Sequence, residues 1–158
     1  MIMGLFFNRK RSIDLFAPVA GVLEPIEKVS DEVFASKAMG DGFAIKPKSG
    51  EIYSPIDGTV TSVFPTKHAI GLKTKGNLEI LVHLGIDTVE LNGKGFEVFV
   101  KEGDVVSSKT KLVDVDLNFL ASEKKPNDIM VIFTNLDKHA LTYEAGNVNQ
   151  GDKVGTVE

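Results

Sequence analysis

Thr66-Lys67-His68-Ala69-Ile70-Gly71-Leu72, a turn near Lys75-Gly76-Asn77, and Ile80-Leu81-Val82-His83-Leu84-Gly85-Ile86-Asp87-Thr88-Val89 form the stretch that decides the fold. Both flanks of the turn read as strands. The second is apolar from Ile80 to Leu84 and bounded by turn residues, which suits a strand buried on both faces. A hairpin is the simplest connection, and it brings two of the three histidines of the chain onto neighbouring strands. A two-residue loop at Lys75-Gly76 makes His68 and His83 direct cross-strand partners. A loop at Gly76-Asn77 makes them diagonal neighbours on one face, because side chains alternate with period two. Only a slip by an odd number of residues separates them.

A single histidine in an apolar strand is more often structural than chemical, since an imidazole needs only two partners. Two histidines on one face shift the balance to about even. Imidazole serves as nucleophile, proton carrier or metal ligand, and spacing alone leaves all three open. A metal would normally need a third or fourth ligand. The chain has no Cys, and its one remaining histidine, His139, follows Asp137-Lys138 in a polar turn.

A length of 158 residues suits one core, and 42% hydrophobic with 25% charged residues suits a globular domain. The net charge of −4 argues against nucleic acid and favours a basic partner. Without Cys there is no disulfide and no thiol nucleophile, in keeping with a cytoplasmic location. No apolar run approaches the roughly 20 residues of a membrane span. Residues 1–13 read as a flexible tail, and Met1-Ile2-Met3-Gly4-Leu5-Phe6-Phe7 before Arg9, Lys10 and Arg11 could make at most a peripheral contact with anionic lipid. Residues 14–158 form the single domain.

Short β-type runs follow at intervals of roughly 8 to 12 residues, the pattern of an all-β sandwich or barrel. They are 15–17, 22–29, 42–45, 51–54, 59–64, the histidine hairpin, 96–100, 111–115, 129–134, 140–143 and 153–157. Helix is limited to one turn capped by Ser30 and one capped by Asp116 that ends before Pro126. Two internal similarities suggest duplicated units. Residues 17–22 resemble 54–59, each with a Pro-x-x-Gly turn, and residues 106–115 resemble 148–157.

Further motifs narrow the reading: Val33-Phe34-Ala35, Met39-Gly40-Asp41-Gly42-Phe43-Ala44-Ile45-Lys46-Pro47, Pro55-Ile56-Asp57-Gly58, Phe64-Pro65-Thr66-Lys67-His68-Ala69 and the segment from Val82 to Leu91. Their order and spacing resemble the glucose-type enzyme IIA family of the bacterial phosphoenolpyruvate-dependent sugar phosphotransferase system, over roughly residues 15 to 158. The resemblance implies a cytoplasmic phosphoryl carrier on an antiparallel β-sandwich or barrel-sandwich hybrid. His83 would accept a phosphoryl group from HPr and pass it to a cysteine of a sugar-specific IIB domain. His68 would assist transfer, and the Thr66 hydroxyl would orient His68. No cofactor is required, although a zinc ion shared by His68, His83 and a partner carboxylate is compatible with the family.

The same resemblance implies a docking face of Val33, Phe34, Met39, Phe64, Ile70, Leu81, Leu84 and Val89 around the histidines. Phe and Met suit a surface that must fit several partners. Asp31 and Asp87 would edge it and attract basic residues of HPr. The family's short step before the apolar run differs here at Gly76-Asn77-Leu78-Glu79, and the segment from Ser122 to Asp128 departs from the pattern. Two other readings are a regulatory module that docks on permeases or kinases and a metal-dependent hydrolase with His68 and His83 as ligands.

Overall fold

The computed structural model describes residues 12–158, so the segment of residues 1–11, where most of the expected tail and its lipid contact lie, is outside the described residues. Strand β1 (Ile13–Phe16) begins one residue inside the expected tail. It is followed by β2 (Gly21–Pro25), β3 (Asp41–Pro47), β4 (Glu51–Tyr53), β5 (Gly58–Val63), β6 (Ala69–Lys73) and β7 (Glu79–Leu84). Strands β8 (Phe96–Val98), β9 (Val105–Val106), β10 (Lys111–Val115), β11 (Ile129–Phe133), β12 (Leu141–Tyr143), β13 (Gly146–Val148) and β14 (Lys153–Val157) complete the set. The helices are α1 (Glu32–Ala35) and α2 (Leu117–Ser122), with 3₁₀ turns at Ile26–Lys28 and Thr88–Leu91. The expected strand 22–29 stops at Pro25, where the first of these turns takes over.

All pairings are antiparallel. One large sheet runs β13-β2-β3-β11-β7-β6-β5-β9, and two three-stranded sheets, β1-β14-β12 and β4-β10-β8, accompany it. The main core unites Leu23, Phe43, Ile45, Ile70, Val82 and Leu84 of the large sheet with Leu15, Ile52, Leu112, Val113 and Val157 of the small ones. Ala44, Ala69, Leu81, Met130 and Ile132 form a separate cluster with Ile26, Val29, Phe34 and Ile86. Alternation along β7 therefore divides its side chains: Val82 and Leu84 join the main core, Leu81 the other cluster.

The internal similarities in sequence reappear as symmetry. The large sheet reads the same from both edges when β13, β2, β3 and β11 are matched to β9, β5, β6 and β7. Turn bonds are reciprocal: Phe16 N–H donates to Pro55 O (2.9 Å) and Tyr53 N–H to Pro18 O (2.8 Å). The pseudo-twofold axis passes between the paired residues Val82 and Val131.

The β6–β7 register corrects the expected hairpin. Ala69, not His68, pairs with His83, and Ile70 pairs with Val82. The loop has three residues, Lys75 to Asn77, closed by Thr74 N–H to Leu78 O (3.0 Å), with Asn77 at φ 67°. A three-residue hairpin loop needs one left-handed position, and Asn supplies it here in place of Gly76. By simple alternation this register would put the two histidines on opposite faces.

Candidate functional site

His83 lies on β7, opposite Met130 of β11 and Ala69 of β6. Its Nδ1–H donates to Gly85 O at 2.8 Å, which leaves Nε2 as the nitrogen with the free lone pair. Gly85 makes this short return possible at φ 79°, and a Cβ there would come within 2.6 Å of Thr88 Cγ2 and 2.9 Å of Pro126 O. The Thr88 hydroxyl donates to Leu84 O at 2.6 Å and braces the same corner. The Phe34 ring packs on the imidazole with centroids 4.8 Å apart. Phe34 is seated by α1, whose N-cap is Asp31 and not Ser30: the Asp31 carboxylate accepts from Val33 N–H (2.8 Å) and Phe34 N–H (3.3 Å).

His68 reaches His83 by departing from the ladder. It precedes β6, in a turn where Lys67 has φ 61° and Lys67 N–H donates to Phe64 O at 2.7 Å. Only the His68 carbonyl joins the hairpin, accepting from Leu84 N–H at 2.8 Å. The two imidazole centroids are 5.0 Å apart and nearly perpendicular, at 77°. Thr66 Oγ1 is 2.5 Å from His68 Nδ1, and the edge of the aromatic pair Phe64–His68 closes the other side at 5.5 Å. When the hydroxyl donates, the His68 proton resides on Nε2, the nitrogen left for an external partner.

Burial lowers the His83 pKa from 6.5 to about 4, and repulsion from His68 adds to the effect. The bond to Gly85 and the Asp31 charge oppose it only in part. Burial also lowers His68 below its ordinary value. Both rings are therefore neutral at neutral pH, each with one nitrogen held by an internal partner.

Of the apolar residues expected to form a docking face, Val33 (53%), Met39 (38%), Phe64 (37%) and Val89 (48%) are exposed. Phe34 and Leu81 are buried in one apolar cluster. Asp87 is exposed at φ 59°, and Asp31 is half-buried. Ile70 and Leu84 present no surface at all: both are fully buried in the main core, where alternation turns them away from the His83 face. His139 lies elsewhere, lining a cavity of about 390 Å³ with Thr74, Lys75 and Leu78 at the loop end of the hairpin.

Among the described residues no third His, Cys, Asp or Glu joins the histidines in a group that could hold a metal ion. The two Nε2 atoms are short of the four donors of a tetrahedral zinc, so any zinc here would need ligands from a partner. Sequence reading missed the support behind Gly85, whose N–H donates to Asp128 O at 2.8 Å while Ile86 N–H donates to Pro126 O at 3.1 Å. Nothing in the polar run Lys124-Lys125-Pro126-Asn127-Asp128 signals that role.

Comparison with known proteins gives a match over residues 13–139 to the family described as phosphoenolpyruvate-dependent sugar phosphotransferase system, EIIA 1. The chain is 42% identical over 154 residues to a glucose-specific EIIA component of Mycoplasma capricolum, covering 97% of this chain and 99% of that one. It is 49% identical over 131 residues to a glucose-specific EIIA component of Staphylococcus aureus, covering 83% and 79%. A glucose-specific EIICBA component of Staphylococcus carnosus is 45% identical over 141 residues, 89% of this chain but 21% of that protein, so the chain spans about a fifth of the fused relative. The solved structure of glucose permease IIA from Mycoplasma capricolum superposes with a TM-score of 0.86 at 40% identity, over 93% of this chain and 96% of that one. Among the described residues no helix is long and apolar enough to cross a membrane.

Proposed function

The chain belongs to the EIIA 1 family of the phosphoenolpyruvate-dependent sugar phosphotransferase system, and from that premise we propose that it carries a phosphoryl group on Nε2 of His83. The group would come from phospho-HPr in the cytoplasm and pass to the cysteine of a IIB domain in a glucose-type permease. The observation that carries this reading is the fixed tautomer of His83: Nδ1–H is committed to Gly85 O at 2.8 Å, which leaves Nε2 unprotonated.

In the accepting step, the Nε2 lone pair attacks phosphorus, a new N–P bond forms, and the donor departs with the electron pair of its own broken bond to phosphorus. The imidazole must be neutral to attack, which its depressed pKa favours. His68, with Nδ1 held by Thr66, offers Nε2–H to the phosphoryl oxygens and stabilises the charge spread over them in a loose transition state. The onward step reverses these roles with the cysteine thiolate as nucleophile. No metal has a task in this scheme, because the donor arrives activated. The exposed Val33, Met39, Phe64 and Val89 supply an adaptable contact for HPr and IIB, with Asp31 and Asp87 attracting basic side chains. Residues 1–11 add a weak contact with anionic lipid. Equal binding of the full chain and a 12–158 truncation to phosphatidylglycerol vesicles would remove that part.

The test is transfer of labelled phosphate from phosphoenolpyruvate through enzyme I and HPr. The expected adduct is acid-labile and base-stable, and His83→Gln abolishes it. His68→Gln is expected to accept phosphate from HPr yet fail in transfer to IIB. Equal loss of both steps would reject the division of labour between the histidines. Metal-dependent hydrolysis without an adduct would replace the carrier reading altogether.

A further inference from the structure

The crossover between α2 and β11 has no ladder of its own, with Lys124 at φ 57°, yet it supplies the bonds that hold the His83 corner. Asp128 O accepts from Gly85 N–H at 2.8 Å, and Pro126 O accepts from Ile86 N–H at 3.1 Å. Gly85 in turn offers its carbonyl to His83 Nδ1. The proton of the reactive ring is thus placed by a peptide that is itself held from segment 126–128.

Two ion pairs fasten that segment at its ends. The Asp128 side chain is 4% exposed, and its Oδ2 accepts from Lys46 Nζ of β3 at 2.9 Å. Lys46 also lies 3.8 Å from Glu24 Oε1, so its ammonium bridges two carboxylates. At the other end Lys125 Nζ donates to Glu90 Oε1 at 2.7 Å, in the 3₁₀ turn that follows Gly85. A buried carboxylate must be paired or it is strongly unfavourable, so the Lys46 bond ties Asp128 to one place on the sheet. Surface pairs such as Lys125–Glu90 are weaker tethers.

We infer that Lys46 and Asp128 are positioning residues for His83: their ion pair fixes the segment whose carbonyls hold the Gly85 peptide and, through it, the protonated nitrogen of the imidazole. Neither touches the phosphoryl group. Loosening the pair lets the Gly85 carbonyl drift, and the neutral ring can then move its proton to Nε2, the nitrogen that must attack. A ring in that tautomer cannot accept. The inference deepens the carrier reading and rests on it for its consequence, although the tautomer itself can be read without any phosphoryl donor.

The experiment records the ¹⁵N resonances of His83 in the unphosphorylated full chain, its Lys46→Met, Lys46→Arg and Asp128→Asn variants, and then their initial rates with phospho-HPr. The unchanged protein and Lys46→Arg are expected to show one tautomer, protonated at Nδ1. Lys46→Met and Asp128→Asn are expected to show a second tautomer, and a rate lower by about three- to tenfold, the worth of one weakened hydrogen bond. Half-saturation by HPr is expected to stay constant, because the docking face is untouched. Lys46 is more than half exposed, so Lys46→Met decides the matter should Asp128→Asn fail to fold. A single tautomer retained in Lys46→Met overturns the inference, even if the melting temperature falls. A tautomer shift without phosphorylation of any protein, the unchanged one included, would refute the carrier reading and leave the positioning role standing.

Discussion

His83 gains its usefulness from the same burial that withholds its charge. The unfolded ring takes a proton near 6.5 and the folded ring only near pH 4, so the folded protein binds fewer protons between those values. The contribution of His83 to stability is therefore full above about pH 6.5 and is lost as pH falls toward about 4. In His83→Gln this part of the decline should be missing, which melting curves recorded across that window would show. Phosphoryl acceptance by the unchanged protein should persist well below 6.5 and fall only as pH nears about 4; loss with a midpoint at an ordinary histidine value would mean that the ring is not desolvated. That the two histidines converge was legible in the sequence, but not how they meet. His68 arrives through a turn outside the strand, and alternation cannot describe a side chain that leaves the ladder. Ile70 and Leu84 are expected on the docking face from the family resemblance alone; Ile70 pairs with Val82 and Leu84 follows His83, so alternation turns both to the face opposite His83.

Corners and loops set the geometry of the hairpin elements. Asn77 occupies the left-handed position that sets the three-residue β6–β7 loop. Asn77→Val should cost about 1–2 kcal/mol in chemical denaturation, since a β-branched residue resists that conformation, whereas Asn77→Gly should leave stability nearly unchanged. Equal effects of the two would show that the φ constraint is unimportant. Gly85→Ala should cost at least about 1–3 kcal/mol, because it combines left-handed strain with overlap against Thr88 and Pro126. The longer strands were readable from their apolar pattern, but β9 and β13 were not. They have two and three residues, and Gly146-Asn147 has the composition of a turn. The Asp116 cap was readable because its carboxylate does bind Phe119 N–H at 3.0 Å.

At the scale of the whole molecule, the two halves are interlaced. Residues 51–115 form one half as a continuous piece, whereas the other half is split between the start and end of the described chain. The piece 51–115 would expose the β7 edge that pairs with β11 and would lose the reciprocal bonds to Phe16 and Pro18. It should fail to fold alone; dispersed amide resonances from the isolated fragment would contradict this. Sequence similarity revealed the duplication but not the axis, which depends on a pairing between Val82 and Val131 that no local pattern encodes.

That axis also relates two unlike positions. Under the exchange of Val82 with Val131, His83 falls on Ile132, a fully buried member of the apolar cluster that also holds Phe34. The two symmetry-related positions are therefore built to opposite ends: one holds an imidazole, and the other belongs to the greasy bed that also holds Phe34, the ring packed against that imidazole.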